Sequence, residues 1–183
     1  MSTDELAELR REVRYLKDRQ EILDCIMNQS RGHDRHDIEL MTSVYWEDGV
    51  DEHGPNVLVG PEYGEWANDA HTSIFIDHLH NITTHTCEVD GDVAHAESYV
   101  IGTMRVKDHR TLSILGGRYL DRLERRDGTW RIALRRCTIE WMLNGDTSLL
   151  ESGAVAGFIK GTWSRDDPSY ARPLTRDTPA ELW

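Results

Sequence analysis

The sequence predicts an α+β fold, in which three N-terminal helices pack on one face of a curved, mostly antiparallel sheet. Helical periodicity, with apolar residues every three or four positions, is confined to the first part of the chain. Four long segments with strand character follow, at about 79–89, 93–106, 112–125 and 130–143. This segregation of helices from strands favours an α+β fold over an alternating α/β fold.

The first helix is predicted at residues 4–31, where an apolar stripe begins at Leu6. Gly32 is expected to end this helix, because glycine readily adopts the left-handed conformation that follows a helix C-terminus. The Glu- and Arg-rich first half suits either a solvated extension or contact with a neighbouring subunit. The other elements expected before the long strands are a helix at 37–46, an edge strand at 50–59 and a helix at 60–75.

Turn-forming sequences separate the long strands. Asp90-Gly91-Asp92 and Arg126-Asp127-Gly128 are hairpin signals, because Asp and Gly tolerate the positive φ angles of tight turns. We expect residues 1–145 to form the body of the protein. Residues 146–183 form a tail with a short helix near 153–159, and the aromatic residues of this tail predict that it packs on the body or at a subunit interface.

Composition and charge argue against several classes of partner. The formal charge is −12, from 33 acidic and 21 basic residues, and such a surface repels nucleic acids and anionic membranes. No segment approaches the roughly 18 apolar residues of a membrane span, and the charged N-terminus lacks the apolar core of a secretory signal. Cys25, Cys87 and Cys137 are widely spaced, which suits unpaired thiols in a reducing compartment. These features predict a cytoplasmic domain.

Nine histidines are many for a chain of 183 residues, and two groups of them stand out. His33 and His36 close the first helix, whereas His78, His80 and His85 open the first long strand. The His78-x-His80 spacing would suit a metal ion on one side of a strand, as in cupins. However, a cupin site adds a nearby glutamate and a second histidine motif, and both are missing, so no metal site is expected. The histidines expected to lie on the surface without a role are His53, His71, His95 and His109.

Asp34 and His80 are the pair best suited to acid–base chemistry. Asp34 lies at the predicted helix end and His80 at the start of a strand, so folding can bring them into one pocket. A carboxylate fixes the tautomer of an imidazole and stabilises the ring once it has accepted a proton. Spacing alone leaves open that Asp34 is a helix-terminal residue and His80 a hydrogen-bonded structural histidine.

Several short segments occur in the order found in a known family. They are Arg19-Gln20-Glu21-Ile22, Gly32-His33-Asp34, Trp46-Glu47-Asp48-Gly49, Val59-Gly60-Pro61-Glu62, His80, Gly91-Asp92-Val93-Ala94 and the stretch from Arg125 to Ile132. By these segments the chain resembles, over about residues 9–143, the SnoaL-like group of the nuclear-transport-factor-2-like superfamily, which includes dehydratases and a dehydrochlorinase. Their order and spacing are more specific to the fold than to a reaction.

The resemblance implies a cone-shaped α+β barrel, no cofactor, and assembly as a homodimer or homotrimer. It also places the family's catalytic Asp–His pair on Asp34 and His80, which favours a working pair over the structural alternative. One departure is that a bile-acid dehydratase of the family carries a second acidic residue near the position of Gly102. That role is vacant here or is filled elsewhere.

Strand alternation predicts which other side chains face the pocket. In the last strand Arg135, Cys137, Ile139 and Trp141 share one face, and the related enzymes place a basic residue at that parity. Arg135 would then stabilise a developing oxyanion or leaving group, although the adjacent Arg135 and Arg136 suit surface ion pairs equally well. Tyr45 and Tyr99 are candidate hydrogen-bond donors to the substrate, although core packing is the commoner role for each. The predicted aromatic walls are Trp46, Trp66, Phe75 and Trp141.

The sequence therefore predicts a cofactor-independent lyase for a hydrophobic, ring-bearing small molecule such as a lignin-derived aromatic dimer, a steroid or a polyketide. His80, oriented by Asp34, would remove a proton, and loss of water or another group, or cleavage of a carbon–carbon bond, would follow. An isomerase would use the same proton abstraction. Two hypotheses from other classes are a non-catalytic ligand-binding module and a structural subunit like the β-subunit of a ring-hydroxylating oxygenase.

Overall fold

The computed structural model describes residues 2–183 and contains three α-helices, six strands and two short 3₁₀ helices. The predicted sequence of helices and long strands is confirmed, and the long strands lie near their predicted positions, although the first begins at Phe75 rather than near residue 79. In chain order the elements are α1 (Thr3–Arg35), α2 (Ile38–Ser43), β1 (Tyr45–His53), β2 (Asn56–Val59), α3 (Gly60–Ile74), β3 (Phe75–Asp90), β4 (Val93–Val106), β5 (Thr111–Arg126) and β6 (Thr129–Asp146), followed by the 3₁₀ helices Ser148–Glu151 and Pro168–Tyr170.

All six strands form one curved, unclosed sheet in the order β2-β1-β6-β5-β4-β3. Neighbouring strands are antiparallel except β1 and β6, which pair in parallel. The helices cover one face of this sheet, where Ile22 and Ile26 of α1 share a core with Leu123 of β5 and Ile132 of β6. This arrangement confirms the predicted α+β fold, with helices packed on a mostly antiparallel sheet.

Helix α1 continues through Gly32 and ends at Arg35, and the capping residue His36 has a left-handed φ of 49°. The prediction that Gly32 ends the helix is therefore wrong. Gly32 instead permits close packing against α2, because a Cβ at this position would lie 2.6 Å from Met41 Cγ and 2.8 Å from the backbone N of Met41. The additional helical turn places Asp34 within the helix and against the sheet.

A buried carboxylate fixes α1 on the sheet. Asp18 is 4% exposed, and Nη1 of Arg125 donates to its two carboxylate oxygens at 2.9 and 3.0 Å. The indole Nε1 of Trp130 also donates to Asp18, at 2.9 Å. These contacts with β5 and β6 set the position of the helix, and therefore of the residues at its C-terminal end.

The turns around the sheet mostly follow the predictions, with one difference near the start. Asp127 and Gly128 both have positive φ angles, 51° and 80°, and Gly91 has a φ of 60°, as expected for tight hairpin turns. The second helix is shorter than predicted, because Tyr45 already begins β1. The expected single edge strand is a hairpin of β1 and β2 that turns at Gly54, whose φ is 64°.

The tail after β6 reaches back to the end of α1. The segment 153–159 forms turns rather than the expected short helix. The indole Nε1 of Trp163 donates to the backbone oxygen of His33 at 3.1 Å, and the hydroxyl of Tyr170 donates to Asp37 Oδ2 at 2.9 Å. Among residues 2–183, no helix is both long enough and apolar enough to cross a membrane.

Candidate active site

Asp34 and His80 lie within hydrogen-bond distance of each other. Asp34 is in the last turn of α1, and His80 is near the start of β3, one of the two edge strands of the sheet. Nδ1 of His80 is 2.8 Å from Asp34 Oδ1, and the backbone N–H of His80 donates to Asp34 Oδ2 at 2.9 Å. Nδ1 of His78 lies 3.1 Å from the same Oδ1. One carboxylate therefore receives three donors from a single strand.

The Asp34 carboxylate determines which ring nitrogen of His80 carries a proton. Burial raises the pKa of Asp34, but the hydrogen bonds from His78 and His80 outweigh burial, so this pKa lies below its ordinary value. The carboxylate only accepts hydrogen bonds, so Nδ1 of each imidazole holds the hydrogen and Nε2 keeps a lone pair. Within residues 2–183 the ring of His80 is hydrogen-bonded through Nδ1, which leaves Nε2 able to accept a proton.

Two half-open clefts meet at Asp34. The larger has a volume of about 440 Å³, and both Asp34 and His80 contribute to its lining. The smaller, of about 200 Å³, is lined by Asp34, His78 and the tail residues Trp163 and Trp183. The larger cleft falls within the roughly 300–1,000 Å³ of typical small-molecule sites. The Asp34–His80 pair therefore borders a space that can admit a small ligand.

Two arginines beside the pair were missed by the sequence analysis. Arg31 and Arg35 of α1 line the larger cleft together with Asp34. Their separation by four positions places them on one helix face, and this spacing was the available signal. The tail holds both of them, since Nη2 of Arg31 donates to Ser169 Oγ at 3.3 Å and Nε of Arg35 lies 3.5 Å from Asp167 Oδ1. They bring positive charge to the mouth of the cleft.

Three further imidazoles pack around the pair. The ring centroids of His33, His71, His78 and His80 are separated by 4.8 to 6.3 Å, and the Tyr63 hydroxyl lies 2.6 Å from His33 Nε2. Burial, reinforced by the neighbouring histidines, lowers the pKa of His71 to about 3 and that of His33 well below its ordinary value. His71 was expected on the surface without a role, and the surface position is wrong.

A second polar cluster occupies the interior near β1. Nδ1 of His53, a residue expected on the surface without a role, lies 3.3 Å from Cys137 Sγ and 3.5 Å from Asp51 Oδ1. The hydroxyl of Tyr45 donates to Asp51 Oδ2 at 2.6 Å, and the ring of Trp66 is 5.8 Å from that of His53. Tyr45, Trp66 and Cys137 therefore meet in this cluster.

Arg135 points into the interior and is paired there with an acid. Its Nε and Nη2 donate to the two carboxylate oxygens of Asp121 at 2.7 and 2.8 Å, and both side chains are 0% exposed. The guanidinium also lies 4.1 Å from the centroid of the Tyr119 ring. Arg135 lies outside the lining of both clefts. Its contacts are those of a buried ion pair, and its catalytic role stays a prediction.

A bulge at Glu140 reverses the face of the sheet to which the following side chains of β6 point. The register of β5 and β6 shifts next to Gly116, so Trp141 lies on the outer face of the sheet, where it borders a groove with Tyr99. Ile139 keeps the parity of Arg135 but is 57% exposed. The prediction that the four residues share one face is therefore wrong for Trp141.

The remaining predicted aromatic walls lie at other places on the body. Nε1 of Trp46 donates to the backbone oxygen of Glu124 at 2.9 Å, and the Arg131 guanidinium lies 5.0 Å from the Trp46 ring centroid. Phe75 is closer to the histidines, with its ring 5.8 Å from that of His71. The predicted contacts that lie outside the lining of both clefts are Tyr45, Trp46, Trp66, Phe75, Tyr99, Cys137, Ile139 and Trp141.

Several solved structures share this arrangement of helices and strands. Hexachlorocyclohexane dehydrochlorinase LinA-type3 from Novosphingobium barchaimii matches with a TM-score of 0.69 and 21% identity, over 73% of this chain and 94% of that chain. A candidate scytalone dehydratase from Novosphingobium aromaticivorans matches with a TM-score of 0.64 and 20% identity, over 73% and 91%. Rv3472 from Mycobacterium tuberculosis, described as of unknown function, has a TM-score of 0.62 and 30% identity, over 69% and 74%. The fold is that of the nuclear-transport-factor-2-like superfamily.

The family follows from the sequence match. Residues 14–136 match the model of the SnoaL-like domain, so the chain belongs to the SnoaL-like family. The resemblance inferred from the short segments is thereby confirmed. None of the proteins with curated functions matches the sequence.

Proposed function

We propose that this protein is a lyase that uses Asp34 and His80 as an acid–base pair, without a cofactor, on a ring-bearing small molecule. The observation that carries the proposal is the 2.8 Å contact between Asp34 and His80 at the edge of a ligand-sized cleft. Structural neighbours that are a dehydrochlorinase and a candidate scytalone dehydratase support elimination chemistry on this fold.

The proposed reaction begins with proton transfer to His80. Nε2 accepts a proton from a carbon or oxygen of the substrate, and the Asp34 carboxylate stabilises the resulting imidazolium. In an elimination, the electrons of the broken C–H bond form a carbon–carbon double bond, and the leaving group departs with its own bonding pair. Arg31 and Arg35 line the same cleft and supply positive charge for the negative charge that develops on that group.

The lining of the clefts supports a substrate that is partly apolar and carries a polar group. Met27 and Ile82 contribute apolar surface to the larger cleft, next to its arginines. Trp163 and Trp183 line the smaller cleft, and indole rings offer flat surfaces on which a ring can stack. We therefore retain ring-bearing molecules such as aromatic dimers, steroids or polyketides as the proposed substrate class.

The proposal also includes a cytoplasmic location and assembly as a homodimer or homotrimer. The cysteines Cys25, Cys87 and Cys137 are free thiols in the structure, which suits a reducing compartment. Tyr99 and Trp141 are exposed apolar side chains on the outer face of the sheet, where burial by another copy is favourable. Native mass measurement of the purified protein tests the assembly.

The proposed chemistry can be tested with ring-bearing halides and alcohols that carry an acidic C–H next to the leaving group. Incubation in D₂O followed by mass spectrometry detects both elimination and simple proton exchange at carbon. We expect activity in the wild type and in His95→Ala, a control at an exposed strand position, and a loss of at least about 10²-fold in His80→Ala. Undiminished turnover in His80→Ala would refute the pair, whereas binding without reaction or exchange would favour a ligand-binding module.

A further inference from the structure

Three histidines beside the proposed catalytic pair converge from three different elements. His33 belongs to α1, His71 to α3 and His78 to β3. One ring nitrogen of each lies within 4.8 Å of those of the other two. The tertiary fold creates this grouping, because His33 is distant in sequence from His71 and His78.

We propose that His33, His71 and His78 form a binding site for a divalent transition-metal ion of the zinc type. Zinc is commonly bound by imidazole nitrogen, and three protein ligands with a fourth position open to water or another small ligand define one recurrent class of zinc site. The inference goes beyond the proposed lyase, whose proton transfer uses Asp34 and His80 and needs no metal.

The spacing of the nitrogens is compatible with an ion after a small adjustment. For three atoms no more than 4.8 Å apart, a point exists within about 2.8 Å of each of them, and a zinc–nitrogen bond is about 2.1 Å long. Each imidazole would therefore move inward by about 0.7 Å. Side-chain rotations of this size are possible without a change in the fold.

In two of the three histidines, one ring nitrogen has the kind of partner that metal-bound histidines usually have. Nδ1 of His78 is held by the Asp34 carboxylate at 3.1 Å, and Nε2 of His33 is 2.6 Å from the Tyr63 hydroxyl. Carboxylates and other polar groups that contact ligating imidazoles orient the ring and raise its basicity. Asp34 and Tyr63 thus supply outer hydrogen bonds to His78 and His33.

A buried nitrogen of His71 gives an independent indication of a ligand. Nδ1 of His71 is buried and has no hydrogen-bond partner among residues 2–183. Leaving a buried polar atom unpaired costs free energy, and an ion bound through Nδ1 of His71 would satisfy it. In the neighbouring group of Asp34, His78 and His80, Nδ1 of each histidine is already hydrogen-bonded to Asp34 Oδ1, so the observations favour the group that contains His71.

The test is a titration of the untagged, chelator-treated full chain with Zn²⁺ in competition with a chromophoric chelator, repeated with Co²⁺ to record its visible absorption. We expect one ion per chain and a loss of affinity of at least about 100-fold in His71→Ala. His95→Ala serves as the surface control and should bind as the wild type does. Thermal melts without metal show whether each variant is folded, and added Zn²⁺ should raise the melting temperature of the wild type but not of His71→Ala.

Two outcomes would overturn the site. In the first, the wild type binds Zn²⁺ no more tightly than a folded His71→Ala variant. In the second, His80→Ala loses as much affinity as His71→Ala, which would transfer the ion to the Asp34 group. Because metal affinity is measured without turnover, failure of this site and failure of the proposed lyase activity are distinguishable.

Discussion

The buried ion pair between Arg135 and Asp121 allows a quantitative test of how the interior is stabilised. Both side chains are 0% exposed, and two parallel N–H···O bonds of 2.7 and 2.8 Å join them. Burial lowers the pKa of Arg135, but the Asp121 carboxylate outweighs burial and holds this pKa above its ordinary value. The guanidinium therefore stays charged, and Asp121→Ala would leave that charge without its partner.

The expected loss of stability is large. Removing one partner of a buried pair typically costs about 3–5 kcal/mol in the free energy of unfolding. For a domain of this size each kcal/mol lowers the melting temperature by about 2–4 °C, so a fall of roughly 6–20 °C is expected. The double substitution Asp121→Leu with Arg135→Met removes both charges and should recover most of the loss, because well-packed apolar residues replace buried ion pairs at little cost.

Urea unfolding followed by circular dichroism measures these changes through the midpoint and the slope of the transition. The matched control is Glu140→Ala, because Arg118 Nε donates to Glu140 at 2.7 Å in a pair whose side chains are 31% and 46% exposed. Exposed pairs contribute little, so the midpoint of the control should barely change. A midpoint for Asp121→Ala as high as that of Glu140→Ala would refute the reasoning.

Three further predictions concern packing, thiol reactivity and the tail. Gly32→Ala should destabilise the protein by about 1–3 kcal/mol, because the new Cβ meets the Met41 backbone at 2.8 Å. Gly145→Ala is the control and should not destabilise it, because the nearest atom to its new Cβ is 3.9 Å away. Chemical unfolding of both variants measures the difference. Burial raises the pKa of Cys25 to about 12, so this thiol should resist a disulfide reagent at pH 8 until the chain is unfolded, and rapid native labelling would contradict its burial. Trp163→Ala should speed amide hydrogen exchange in the tail by removing its bond to α1; unchanged exchange would show that other contacts hold the tail.

The sheet was predictable because its signals are local. The turn positions of Asp127 and Gly128 require positive φ angles, which few other residue types tolerate. The alternation of side chains along the strands between such turns is read directly from the sequence. The end of α1 was not predictable in the same way. Gly32 has the residue type of a helix terminator, but its role depends on contact with Met41 from another helix, and tertiary packing decided the outcome.

The candidate site was predictable in part. Asp34 and His80 were named from the chemistry of their side chains and from the family pattern, whereas His71 sits on a helix with no local sign that it approaches two other histidines. The bulge at Glu140, which turns Trp141 to the outer face, inserts one residue into a strand and has no turn-like sequence around it. Long-range convergence and register shifts of this kind are not visible in sequence periodicity.

The most direct test of the central claim is whether Asp34 and His80 act as one unit in proton transfer. The measurement is kcat/KM for Asp34→Asn, His80→Ala and the double variant, on a compound that the wild type converts. Residues that act as a unit are not additive, so we predict that the double variant loses no more than His80→Ala alone, about 10²–10⁴-fold. Losses that multiply in the double variant, or full activity in His80→Ala, would contradict the account.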